Sequence, residues 1–202
     1  MEELNRSLFL LLNAPAHPAA LAVFFARFFA QYAVALVPLT LVWGWLRGSE
    51  PTRKILLEAA LCAITALLLN QVIGSLWPHP RPFMIGLGHT LISHAPDSSF
   101  PSDHLTLLWS VAFSLLAHAA LRRWGLALAL LGLPMAWARI YLGVHFPLDM
   151  LGAALVSWLC AWLCAWLAQH QAERFMQPLY GAVATLYQRL FAPFIRLGWV
   201  RK

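Results

Sequence analysis

Five apolar runs constrain this chain more than any other feature. Phe29–Leu46, Ile55–Leu76, His104–Leu121, Trp124–Leu142 and Leu148–Ala168 each approach the ~20 residues that an α-helix needs to cross a hydrocarbon core of ~30 Å. Inside lipid every backbone polar group must be satisfied within its own segment, so such runs are helices. Only 11% of the residues are charged, against about 25% in a soluble domain. The reading is an all-α polytopic membrane bundle forming a single membrane-embedded domain over 1–202. Its core is 29–168, preceded over 1–28 by the interfacial helices Asn5–Asn13 and Ala19–Phe28. Arg27 at mid-bilayer would cost ~3 kcal/mol, which suits the interface for Ala19–Phe28; the alternative is a sixth, tilted span.

The start "MEELNR" is acidic and the apolar stretch after it is short. A secretory signal has a basic start and a longer apolar core, so this segment is expected to be an uncleaved amphipathic helix. The basic residues between the runs set an orientation. Arg47, Arg53 and Lys54 lie in one connection, Arg122 and Arg123 in another, and Arg174, Arg189, Arg196, Arg201 and Lys202 after Gln169. Alternation puts these segments on one face, which the positive-inside rule makes cytoplasmic. Residues 169–202 then form a basic amphipathic tail along the anionic inner leaflet. The net charge of +6 carries no basic stripe or nucleic-acid-binding motif, and nucleic acid is excluded as a partner. Cys62, Cys160 and Cys164 fall within apolar runs and read as small core hydrophobes.

The same alternation brings three polar clusters to the outer rim. They are "PHPRPF" with Arg81, "FPSDHLT" (100–106) with Ser102, Asp103 and His104, and "ARIYLGVHFPLD" (138–149) with Arg139, His145 and Asp149. Guanidinium forks match phosphate oxygens. A serine hydroxyl and the N–H groups opening a helix add neutral donors. His145 and Asp149 stand four apart, so the carboxylate can fix one ring nitrogen and leave the other as a nucleophile. His104 can protonate a leaving oxygen. Together these residue types point to phosphoryl transfer through a covalent histidine intermediate, with no metal-ligand cluster. An anion transporter would instead show polar residues facing one another at mid-bilayer, where Asn70 is the main candidate. Asn70 is expected to bond a neighbouring helix.

The strings "RPF" (81–83), "PSDH" (101–104) and Arg139-x5-His145-x3-Asp149 resemble the signature motifs of the type-2 phosphatidic acid phosphatase superfamily. The longer strings "NQVIGSLWPHPRPF" (70–83) and "HTLISHAPDSSFPSDH" (89–104) are similar to the bacitracin-resistance-type undecaprenyl-diphosphate phosphatases of bacterial envelopes. The resemblance implies that His145 accepts the phosphoryl group, Asp149 supports it, and His104 is the leaving-group acid. Arg81, Arg139, Ser102 and Asp103 would line the phosphate site. No cofactor or metal is implied. The substrate would be a polyprenyl diphosphate whose tail stays among the membrane lipids, processed at the outer face of the bacterial cytoplasmic membrane. A lipid phosphotransferase or a phosphatidate-type phosphatase would use the same pocket. Two positions depart from the superfamily pattern: Gly74 stands where a lysine is usual, and Asp103 where a glycine is. His79, His89 and His94 are candidates to replace the missing cation, and His94 and Asp97 to shape the second phosphate's site.

Overall fold

The computed structural model describes residues 2–170, 174 and 176–201; Met1 and residues 171–173, 175 and 202 of the expected tail lie outside the described residues. Helix α1 (Glu2–Leu12) precedes a long first span built from α2 (Ala20–Arg27), a wide π-turn (Phe28–Tyr32), a 3-10 turn (Ala33–Ala35) and α3 (Leu36–Arg47). The chain continues through α4 (Glu50–Leu76), α5 (Asp103–Leu116), α6 (Arg122–Tyr141) and α7 (Pro147–His170), then α8 (Gln177–Leu190) and α9 (Ala192–Arg196). No strand occurs among the described residues.

Two boundaries differ from the sequence reading. The division at Phe28 is not a gap between helices: Ala20–Arg47 is one apolar helical run of 28 residues. At about 1.5 Å per residue it is ~42 Å long, more than a hydrocarbon core requires. Its irregular middle has a cause in the sequence. Pro38 lacks an N–H and its ring crowds the carbonyl of Val34 four residues back, which breaks regular α-geometry one turn earlier. The third run, expected over 104–121, is helical only to Leu116, and Ala117–Leu121 turn back on themselves.

Helix α5 is thus shorter than a span, and it is the centre of the bundle. It packs against α4, α6 and α7, and Leu105, Leu108, Val111, Ala112 and Leu115 are fully buried. A hydroxyl residue lets the backbones of α5 and α7 approach: Ser157 Oγ donates to Thr106 O (3.2 Å). Long leucine, phenylalanine and tryptophan side chains cover the outside, among them Leu68, Leu133, Leu151 and Trp162. An all-round apolar exterior of this kind belongs in lipid, and the protein is a multi-pass membrane protein. At one end, α4 and α6 finish and α5 and α7 begin. The opposite end carries the 48–49 turn, the 117–121 turn and the C-terminal helices, tied in where Arg53 Nη2 donates to Arg201 O (2.8 Å).

Candidate active site

Each site residue sits where a helix must start or stop. Pro78, Pro80 and Pro82 prevent α4 from continuing, so Arg81 has extended backbone (φ −72°, ψ 159°). Its guanidinium is buried and fully engaged. Nε donates to Asp97 Oδ1 (2.8 Å), Nη2 to Ser98 O (3.2 Å), and Nη1 to Val144 O (2.9 Å) and to His145 Nε2 (3.0 Å). Arg139 occupies the last turn of α6. Its Nη2 reaches His145 Nε2 (3.3 Å) and His94 Nε2 (3.0 Å), and Nη1 reaches Ala30 O in the π-turn (3.4 Å). Arg139 Nε is buried with no partner among the described residues.

His145 is 1% exposed, and its neighbours decide its tautomer. A guanidinium can only donate, so with Arg81 and Arg139 both on Nε2 that nitrogen carries the lone pair. Nδ1 therefore bears the hydrogen and donates it to Asp149 Oδ2 (3.1 Å). Burial first, then the positive fields of Arg139 and Arg81 and of His94 and His104, hold the His145 imidazole well below its ordinary pKa. It stays neutral, with its Nε2 lone pair towards the two guanidiniums. Asp149 is fixed in turn by Phe146 N–H (2.8 Å) and, more loosely, by Ser99 Oγ (3.5 Å).

Ser102 is the N-cap of α5. A serine there normally spends its hydroxyl on the helix's own N–H groups. Here it makes no such cap, and Oγ is buried without a partner among the described residues. His104, in the first turn of α5, is half-buried, and no hydrogen bond to its ring is found among the described residues. Unspent donors, two fixed cations and a helix N-terminus make a setting for an oxyanion.

The structure brings Arg81, Arg139, His145, Asp149, Ser102 and His104 to this end of the bundle, with His94 and Asp97 directly behind the arginines. His94 accepts from Arg139 and gives Nδ1–H to Ala95 O (3.1 Å). Burial, with smaller contributions from Arg81 and Arg139, lowers its pKa. Asp97 orients Arg81. Three expected positions are elsewhere. His79 bonds Trp77 O (3.1 Å) and packs its ring on Trp77, 4.3 Å between centroids. His89 bonds Ala14 O (3.1 Å). Asp103 turns its carboxylate to Asn70 and Gln71 of α4.

Three supporting residues escaped the sequence reading. Asn5 Oδ1 accepts from Leu148 N (3.1 Å), in the first turn of α7. Asn13 Nδ2 donates to His89 O (2.9 Å) and Tyr141 O (3.1 Å). Ser99 reaches Asp149. The available signal was the pair of asparagines in the leucine-rich "LNRSLFLLLN", where polar residues facing inward imply buried partners.

Comparison with known proteins shows the family. The profile of the PAP2 superfamily matches residues 55–173, and the chain belongs to that superfamily. It is 38% identical over 202 residues to YbjG of Escherichia coli (strain K12), a provisionally named undecaprenyl-diphosphatase, covering 100% of this chain and 99% of that one. It is 34% identical over 154 residues to the undecaprenyl-diphosphatase BcrC of Bacillus subtilis (strain 168), covering 76% and 79%. The crystal structure of Aquifex aeolicus LpxE superposes with a TM-score of 0.63 at 28% identity, over 80% of this chain and 94% of that chain. The protein is a membrane-embedded lipid phosphatase.

Proposed function

We propose that this enzyme hydrolyses undecaprenyl diphosphate, or a closely similar polyprenyl diphosphate, to the monophosphate and inorganic phosphate, through a phosphohistidine. The observation that carries this reading is the His145 Nε2 lone pair, met by two guanidiniums and backed through Nδ1 by Asp149. A terminal phosphate entering there exchanges those two Arg–His contacts for Arg–phosphate contacts. Nε2 then attacks phosphorus in line, forming the P–N bond as the bridging P–O bond breaks. His104 gives its proton to the departing lipid phosphate, and Asp149 stabilises the charged ring. Water next attacks phosphorus, losing its proton to His104 as the P–N bond breaks, which releases phosphate and restores neutral His145. The names of the curated relatives support the diphosphate substrate.

The site end faces outward from the bacterial cytoplasmic membrane in this reading. The support is the basic character of the opposite end, with Arg47, Arg53, Lys54, Arg122, Arg123 and the tail. A cysteine replacing Ser93 should react with an impermeant maleimide on intact spheroplasts, and one replacing Ser49 should not. Reversed labelling would overturn the orientation. For the chemistry, detergent-purified enzyme is given undecaprenyl diphosphate, phosphatidate and undecaprenyl monophosphate with EDTA present. Phosphate release fastest from the diphosphate, with an acid-labile phosphoryl enzyme trapped at His145, is expected. Equal turnover of phosphatidate, or no trapped intermediate in acid-quenched single turnovers, would reject the reading.

A further inference from the structure

Gly74 and Asp103, the two departures from the superfamily pattern, lie on the same seam, where α4 meets the segment leading into α5. Asp103 is the first residue of α5. Its Oδ1 accepts from Asn70 Nδ2 (2.9 Å) and its Oδ2 from Gln71 Nε2 (3.1 Å). The same Asn70 amide donates to Thr106 Oγ1 (2.9 Å), one turn into α5. Asn70 is 3% exposed and its bond to Thr106 is buried, while Asp103 and Gln71 lie at the exposed edge of the seam; the buried amide gives the carboxylate a fixed anchor. At Gly74, one turn further along α4, an added Cβ would stand 3.3 Å from Ser98 Cβ. A lysine there would push on the segment whose Ser98 O holds Arg81. The absent side chain lets that segment close on α4, and the carboxylate then locks the start of α5 beside it.

His104 follows Asp103 directly, and no hydrogen bond orients its ring among the described residues. Such a group is placed by its backbone and packing alone. We infer that Asp103 is a positioning residue: with Asn70 and Gln71 it fixes the first turn of α5, and so aims His104 and Ser102, while making no contact with substrate. The inference rests on the reading of His104 as the leaving-group acid.

The experiment compares Asp103→Ala, Asn70→Ala, their double variant and His104→Ala on two substrates: undecaprenyl diphosphate, and 2,4-dinitrophenyl phosphate, whose leaving group departs without a proton. A misaimed acid should lower kcat on the lipid about 10- to 100-fold in each single variant, with KM changed less than about threefold. The double variant should lose less than the product of the two single losses, since both singles remove the shared Asn70–Asp103 contact. On the aryl phosphate the loss is read from the pre-steady-state burst of dinitrophenolate, which reports the first step alone and leaves out the later, shared attack of water; there it should fall to within about threefold of wild type, as it should for His104→Ala. Asp103→Asn keeps one carbonyl oxygen for an amide and should recover part of kcat. It carries the same comparison if Asp103→Ala does not fold. A rise in KM alone would make Asp103 a substrate contact and overturn the inference. Equal losses on both substrates in the Asp103 and Asn70 variants, with His104→Ala selective for the lipid, would overturn the clamp alone. No selectivity in any variant would overturn the role of His104 and the clamp with it.

Discussion

The two ends of this bundle each hold a histidine–carboxylate pair at 3.1 Å, and they behave oppositely. At the site end His145 faces Asp149; at the other end His118 faces Glu58. His145 is pushed well below its ordinary pKa by burial and by Arg139 and Arg81. His118 is raised, chiefly by its hydrogen bond to Glu58. A carboxylate alone makes a histidine more basic; surrounding cations and complete burial reverse that and leave a neutral imidazole. The arginines differ in the same way. Arg53 is as buried as Arg139, but Nε donates to Trp45 O (2.9 Å), Nη2 donates to Arg201 O, and the guanidinium lies 4.7 Å from the centroid of the Tyr187 ring. It is spent on structure. Arg81 and Arg139 converge instead on a single lone pair.

The sharpest contrast should come from the histidines. His145→Ala should lower turnover by at least about a thousandfold, because the proposed covalent step has no substitute, whereas His118→Ala should keep kcat within about twofold. Phosphate release under saturating lipid measures both; more than a tenth of wild-type activity in His145→Ala would break the comparison. The carboxylates come next. Asp149→Asn should lower kcat by ~10²–10⁴ with a modest change in KM, since the amide no longer favours the reactive tautomer. Glu58→Gln should leave both constants near wild type. Between the arginines, Arg139→Lys should raise KM about tenfold through loss of the fork. Arg53→Lys should lower the melting temperature without moving KM.

The smallest effect is in the pH dependence of stability. His118 is raised on folding, so its contribution is complete below the unfolded value near 6.5 and fades as pH rises through the higher folded value. His145 and His94 are lowered on folding, so stability falls as pH drops below about 6.5, where the unfolded chain takes up protons that the folded site refuses. Thermal unfolding between pH 5 and 8 should show a flatter alkaline side in Glu58→Gln and a flatter acid side in His145→Ala. Unchanged profiles in both would remove the electrostatic account of the two pairs.

The spans were legible because lipid imposes a length and forbids unpaired backbone, which leaves few ways to arrange such runs. The rim residues were legible for a related reason: Arg81, Arg139, His145 and Asp149 are costly in a chain with so little charge, and their spacing places them together. Partner choice was harder to read. Nothing in "PSDH" says that Asp103 turns to Asn70 rather than to phosphate, since that depends on the rotation of α5 against α4. His79 looked available because it is two residues from Arg81, but the prolines on either side extend the chain and turn its ring onto Trp77. The early end of α5 was hidden because 117–121 is as apolar as the helix before it.

The π-turn in the first span has a consequence for how this helix tolerates length change. A wide turn accommodates a residue beyond the α-helical count, and each residue advances the helix by about 100°. Deleting one residue between Phe28 and Tyr32 would restore an even coil and swing Ala20–Arg27 by about that angle relative to Leu36–Arg47. Ala26 and Ala30 would leave Ala138 and Leu142, against which they now pack, and the Ala30 carbonyl would leave Arg139. Helical phase in this stretch is therefore coupled to the placement of Arg139. Indels that a lipid-facing helix would absorb should be purged here, while substitutions of one apolar residue for another pass freely.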